Sequence, residues 1–206
     1  MNLMRNFLCV MGVVTLAGCS VLPKHSAPVI RYYQIDYPAP TTVAADIPLT
    51  VQVWPMRIAA EYDRDVLVYR EGGTRMGFYQ YDQWIAGPAD QLTDRLARDL
   101  RAAGGFEAVI TSGTAQKPGL IVYGAIEELA ERRTDSGAAG ACALTITVTQ
   151  STNADMAPKI LLQKRYERTA PCERAKPDTA VAAMSTAVQQ ACAEAIADVR
   201  AAAQKR

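Results

Sequence analysis

Cys142-Ala143-Leu144-Thr145-Ile146-Thr147-Val148 places Cys142, Leu144, Ile146 and Val148 on one face of an alternating run, and a period of two is the mark of a strand with one buried side. Before it, the stretch from Gly119 to about Glu131 opens apolar on both faces, Leu120-Ile121-Val122-Tyr123, as a central strand would. After it, residues 159–168 read as a strand that forms a hairpin with 141–150. A long helix follows from about Asp178 to Ala203, with Val181, Met184, Val188, Ile196 and Val199 along one side. Alanine dominates this helix, which favours helicity and lets it lie close to a sheet.

Upstream, Ile30 to Asp36 is rich in β-formers and stops at Pro38 and Pro40, and Leu49 to Trp54 alternates up to Pro55. Asp65 to Glu71 and Arg75 to Gln83 flank Gly72-Gly73-Thr74, where a Gly-Gly turn accepts the positive φ that a tight hairpin requires. Pro88 to Ala103 reads as a helix. Proline suits its first turn, Leu92, Leu96 and Leu100 recur every four residues, and Gly104-Gly105 ends it. Phe106 to Thr111 is a further strand. Six or seven strands and two separated helices predict a two-layer α+β domain, a mostly antiparallel sheet with both main helices packed on one face.

The amino terminus decides location. Arg5 gives a charged start, Phe7 to Thr15 is apolar but too short to span a bilayer, and Leu16-Ala17-Gly18-Cys19 follows. This order resembles a bacterial lipoprotein signal. It implies cleavage before Cys19, a diacylglyceryl thioether on its sulfur and an acyl group on the new amino terminus. Two or three chains make such an anchor effectively permanent, since each buried methylene contributes roughly 0.8 kcal/mol. Ser20, where aspartate would favour the inner membrane, points by the enteric sorting rule to the periplasmic face of the outer membrane. Residues 1–18 are thus a signal peptide, 19–29 a lipidated cysteine and a proline-containing tether, and 30–206 a single periplasmic domain.

Composition narrows the partners. The 22 basic residues lose Arg5 on cleavage, leaving 21 against 21 acidic ones. A neutral chain has no electrostatic footprint for nucleic acid. Three cysteines remain beside Cys19. Cys142 lies in the alternating strand, Cys192 on the helical stripe and Cys172 in the loop between, so a Cys142–Cys172 disulfide with Cys192 as a buried thiol is expected. Their spacing fits no usual zinc pattern, and the only histidine, His25, is in the tether. No metal or cofactor is expected apart from the covalent lipid.

Catalysis needs convergent polar groups of tuned pKa. The folded region has no histidine for a nucleophile–base pair and no phosphate-binding glycine loop. Glu127, Glu128 and Glu131 beside Arg132 and Arg133 read as a solvated charge cluster, not paired catalytic carboxylates. The chain is therefore not expected to be an enzyme. Tyr62, Tyr69, Phe78, Tyr79, Tyr81 and Trp84 crowd into about twenty residues. They are either strand-formers and core, or a surface that is wet alone and dry in a complex. Alternation puts Tyr79 and Tyr81 on one face and Phe78 on the other.

These segments together resemble the ABC-type transport auxiliary lipoprotein family, the PqiC/YmbA-like lipoproteins. The resemblance runs from Leu16–Cys19 through Arg31-Tyr32-Tyr33-Gln34-Ile35-Asp36 and Val51-Gln52-Val53-Trp54-Pro55. It continues through Glu61-Tyr62-Asp63-Arg64-Asp65-Val66-Leu67-Val68-Tyr69-Arg70 and Tyr81 to Trp84, and ends at Val181-Ala182-Ala183-Met184-Ser185. The three domain cysteines and Glu61 depart from its pattern. It implies a non-catalytic accessory of an MCE-domain transport system, docking the periplasmic component onto the outer membrane while a partner ATPase supplies the energy. Asp63, Arg64, Tyr69, Arg70, Tyr79, Tyr81 and Trp84 are the candidate partner contacts, with a purely structural role equally open for Asp63 and Arg64. A direct lipid carrier and a structural or regulatory envelope lipoprotein remain alternatives. Solute, transport direction and homo-oligomeric state are not written in the sequence.

Overall fold

The computed structural model describes residues 28–111, 117–151 and 158–205. The lipobox Leu16–Cys19, Ser20, His25 and the tether as far as residue 27 lie outside them. The elements run β1 (Arg31–Tyr33), β2 (Ile47–Val53), β3 (Arg57–Ile58), β4 (Val66–Glu71), β5 (Arg75–Trp84), α1 (Pro88–Ala103), β6 (Phe106–Ile110), β7 (Leu120–Thr134), β8 (Gly137–Gln150), β9 (Lys159–Cys172) and α2 (Pro177–Gln204). Among the described residues the sheet has nine strands, more than the six or seven expected. Eight of them fall on the segments read above as β-forming, and the ninth, β3, is too short to show a period.

β7 is the spine of the sheet. One edge pairs with β8 along almost its full length, from Leu120 opposite Gln150 to Thr134 opposite Gly137. The other edge is tiled by three short parallel partners: β2 at Leu120–Val122, β3 at Ala125–Ile126 and β4 at Glu131–Arg133. β6 adds beyond β2, β5 and β1 add beyond β4, and β9 adds beyond β8. The antiparallel ladders β7–β8 and β8–β9 are by far the longest, so the sheet is antiparallel in most of its paired length although its parallel ladders are more numerous. In the three-residue connection between β4 and β5, Gly72 and Gly73 take φ of 61° and 82°, left-handed values that glycine adopts without steric cost.

Both helices cover one face. α1 packs on β2, β3 and β6, α2 on β7, β8 and β9, and the helices touch each other. Leu92, Leu96 and Leu100 are buried from α1, and Val181, Met184, Val188, Ile196 and Val199 from α2, against Leu120, Val122, Leu144, Ile146 and Val148. Each such side chain contributes about 1.5–3 kcal/mol on burial. Among the described residues no helix is long and apolar enough to cross a membrane.

The segment after β1 straps the two helices together. The Ile35 N–H donates to Gln91 Oε1 (2.7 Å), the Asp36 N–H to Ser185 Oγ (3.1 Å) and the Tyr37 hydroxyl to Asp99 Oδ2 (2.9 Å). Arg95 Nε returns a bond to the Ile35 carbonyl at 2.9 Å.

The expected Cys142–Cys172 disulfide is not formed; all three domain cysteines are free thiols. β9 runs on through Cys172, which belongs to the strand and not to a loop, and its register puts Cys142 opposite Arg168 and Cys172 opposite Ala138. Four strand residues separate them by about 13 Å, twice the Cα span that a disulfide bridges. Cys192 is buried as expected. Burial raises its pKa to about 12 and pushes that of Cys142 far up as well, so both stay protonated.

Candidate functional site

The face of the sheet away from the helices is open, and β7 determines what stands on it. A bulge between Ile126 and Glu128 interrupts the ladder with β8, which lets two consecutive glutamates face the same side. Arg132 donates from Nε to Glu128 Oε1 at 2.7 Å and from Nη2 to Glu167 Oε1 at 2.6 Å. Arg165 Nε reaches Glu127 Oε2 at 2.5 Å, and Arg70 Nη1 lies 3.5 Å from Glu128 Oε1. Thr145 Oγ1 donates to the other Glu127 oxygen at 2.5 Å. Four strands thereby share a network of three arginines and three glutamates, formally neutral. Bonds from Thr145 and Arg165 lower the Glu127 pKa, and bonds from Arg165 and Arg132 lower that of Glu167, so both stay ionised in ordinary conditions.

Glu131 belongs to the other face. It is completely buried, which corrects the reading of 127–133 as a uniformly solvated cluster. Its Oε2 accepts from the Tyr79 hydroxyl at 2.5 Å and from Arg133 Nη2 at 2.8 Å, and its Oε1 accepts from the Ala175 N–H at 2.9 Å. Burial is the largest single influence and pushes its pKa up, but the bonds from Arg133, Tyr79 and Ala175 outweigh it and hold the carboxyl below its ordinary value. The Arg133 guanidinium lies 3.6 Å over the Tyr69 ring, and the rings of Tyr69 and Tyr79 meet edge to face at 5.6 Å. Ala175 holds a left-handed φ of 57°. This knot ties the loop entering α2 to β7 and β5.

The β4–β5 hairpin carries most of the candidate contacts and separates them. In their ladder Val68 faces Phe78 and Val66 faces Gln83, so Leu67 alone stands opposite the four residues Tyr79–Asp82. That bulge breaks the alternation expected of Tyr79 and Tyr81: Tyr79 is half-buried on the helix side and Tyr81 is exposed. Trp84 is 4% exposed and part of the core, out of reach of any partner. Tyr69 is held by Arg133 and packs where a Cβ on Gly77 would stand. Arg70 joins the open-face network and also donates from Nη2 to the Gly73 carbonyl at 3.1 Å. Asp63 and Arg64 are exposed in a turn that the Tyr62 and Asp63 N–H groups close on the Ala59 carbonyl.

Side chains outside that candidate set complete the open face. Met76 and Phe78 are exposed, Phe78 at 57%, and with Glu61, Arg64, Val68 and Gly77 they line a hollow of about 200 Å³. At the far end Trp54 and Tyr123, also exposed, stand 5.6 Å apart. Tyr62, Val68 and Ala130 form a small second core beneath the hollow. Alternation from Tyr79 already set Phe78 on the opposite face; that no described element covers this face had no signal in the chain. Among the described residues no group of three or more His, Cys, Asp or Glu side chains is placed to hold a metal ion. The arrangement can bind through apolar contacts and a pre-paired charge array, and it presents no nucleophile poised beside a base.

A crystal structure of a Xanthomonas campestris protein superposes with a TM-score of 0.71 at 15% identity, covering 84% of this chain and 97% of that one. A hypothetical protein from Chlamydia trachomatis gives 0.57 at 9% identity over 77% and 99%. At such identities the likeness is one of fold. No curated protein matches the sequence. The family model described as the ABC-type transport auxiliary lipoprotein component matches residues 33–197.

Proposed function

The chain belongs to the ABC-type transport auxiliary lipoprotein family, and from that premise we propose that it is the outer-membrane-anchored, non-catalytic accessory subunit of an MCE-type transport system for lipid or another apolar solute. Cys19 carries the lipid, the tether spans the gap to the domain, and the domain docks the periplasmic MCE-domain component. Energy comes from the partner ATPase.

The observation that carries this reading is the open sheet face. Helices cover one side of the sheet, while the other exposes Met76 and Phe78 around a hollow rimmed by Glu61 and Arg64. An apolar anchor beside a small pocket, ringed by polar groups, is the composition of a protein-binding hot spot. The charges behind it are already paired with one another, so a partner need not supply counter-ions to cover them. Carriage of lipid inside the domain has less support. The apolar cleft between strap and helices, lined by Tyr37, Pro38, Pro40 and Ile196, holds about 140 Å³, against roughly 300–1,000 Å³ for ligand pockets.

The test is affinity capture of the tagged, lipidated protein from native membranes in mild detergent, with partners identified by mass spectrometry. An MCE-domain protein with its permease and ATPase is expected, and Phe78→Asp is expected to release them while the domain stays folded. Recovery of envelope-assembly or peptidoglycan factors in their place would overturn the proposal in favour of a structural or regulatory lipoprotein.

A further inference from the structure

A second exposed apolar surface lies at the β1 edge of the sheet, away from the hollow. β1 runs parallel to the end of β5, with Arg31 opposite Asp82, Tyr32 opposite Gln83 and Tyr33 opposite Trp84. The ladder continues one step as the Ile85 N–H donates to the Tyr33 carbonyl at 2.8 Å. Asp82 and Trp84 are buried and the Tyr33 hydroxyl bonds Asp178 at 2.9 Å, while Arg31 stays exposed with its Nε 2.7 Å from Asp82. The intervening positions face solvent. Val29 is 80% exposed, Tyr32 58% and Ile85 60%, with Ile30 and Tyr81 exposed beside them. Of the eleven exposed large apolar side chains among the described residues, these five gather at one edge.

We propose that this edge rests on the lipid surface, with Val29, Ile30 and Ile85 in the headgroup–acyl boundary and Tyr32 and Tyr81 at headgroup level. The proposal rests on the reading of Cys19 as the lipid-bearing residue. Two observations select a bilayer as the occupant. The first is chain length. Val29 lies ten residue steps after Cys19, which reach at most about 35 Å, so the residues that follow the tether are those the anchor holds nearest the membrane. The second is charge. From Gln80 to Gly87 the only ionisable groups are Tyr81 and Asp82, and Asp82 is buried against Arg31 and Tyr33. That stretch therefore brings aliphatic and tyrosine side chains and no exposed carboxylate of its own, the composition favoured at a membrane interface, while the exposed Asp65, Asp90 and Asp178 flank it. A domain fixed both by its lipid and by this edge holds one orientation relative to the membrane.

The experiment reconstitutes the full lipidated protein in phosphatidylcholine vesicles with and without brominated acyl chains. Emission is compared for Tyr32→Trp and for Ile160→Trp, an exposed apolar site on β9 at the opposite side of the sheet. Both substitutions are at exposed positions that a tryptophan fits. The expected result is loss of the added emission in brominated vesicles for Tyr32→Trp and none for Ile160→Trp. Flotation of the same vesicles reads the anchor separately. Protein that floats but shows no quenching at position 32 overturns the edge contact and leaves the anchor standing. Protein that fails to float overturns both. Concentration-dependent self-association abolished by Tyr32→Asp would assign the edge to a second copy and overturn the proposal as well.

Discussion

The two faces of β7 carry nearly the same residues and use them in opposite ways. Glu127, Glu128 and Arg132 stand on the open face in a network that reaches β4, β8 and β9. Glu131 and Arg133, one step away in sequence, point under α2, where the fully buried Glu131 carboxylate is bonded by Arg133, Tyr79 and the Ala175 N–H. Apart from Glu128, which is 4% exposed, the open-face network lies within reach of solvent, where ion pairs are screened and weak. In the buried pair, removal of either partner strands a charge. Chemistry nearly identical by composition locks the loop before α2 on one side of the strand and lines the open sheet face on the other.

This contrast can be broken by substitution. The largest effect is expected from Glu131→Ala, which leaves Arg133 buried without its counter-ion and should cost about 3–5 kcal/mol, read as a lower urea midpoint at unchanged slope. Tyr79→Phe keeps the ring against Tyr69 but removes the hydroxyl between Glu131 and Arg133, for an expected loss of about 1–3 kcal/mol. If Tyr79→Phe proved as stable as the parent, the buried site would have to contain water.

Acid should sharpen the same comparison. The folded-state pKa of Glu131 is depressed, so its contribution is complete above the ordinary glutamate value of about 4.3 and is lost as pH falls through the lower folded value. The parent is then expected to lose stability steeply below about pH 4.3, and Glu131→Gln to show a shallower acid limb from a lower plateau. Parallel acid limbs in the two proteins would mean that other carboxylates dominate. On the open face, Arg165→Ala breaks contacts to Glu127 and Glu167 and should cost less than about 1 kcal/mol, diminishing with salt. Phe78→Asp is expected to change stability by no more than about 0.5 kcal/mol, with its effect confined to partner capture.

Much of the candidate site was legible, residue by residue, and its arrangement was not. The crowding of aromatics between Tyr62 and Trp84 falls on the β4–β5 hairpin, and alternation separated Phe78 from Tyr79 correctly. The four-residue bulge opposite Leu67 then put Tyr81 and Tyr79 in different surroundings, and a bulge leaves no period to read. Trp84 looked like its neighbours in sequence and belongs to the core. Met76 carried no signal at all until the absence of a covering element on its face exposed it.

By itself the sequence determined the local elements: both helices with their leucine and valine stripes, the Gly72-Gly73 turn, the three strands that build β7, β8 and β9, and the family to which the chain belongs. These follow from periodicity, turn chemistry and motif order, all properties of neighbouring residues. Only the tertiary structure decided that β2, β3 and β4 tile one edge of β7, that Cys142 and Cys172 stand four residues out of register, and that Glu128 and Glu131 stand on opposite faces of β7. Those outcomes depend on pairings between distant segments and on single-residue bulges. A shift of one residue in either exchanges the two faces of a strand without altering any local preference.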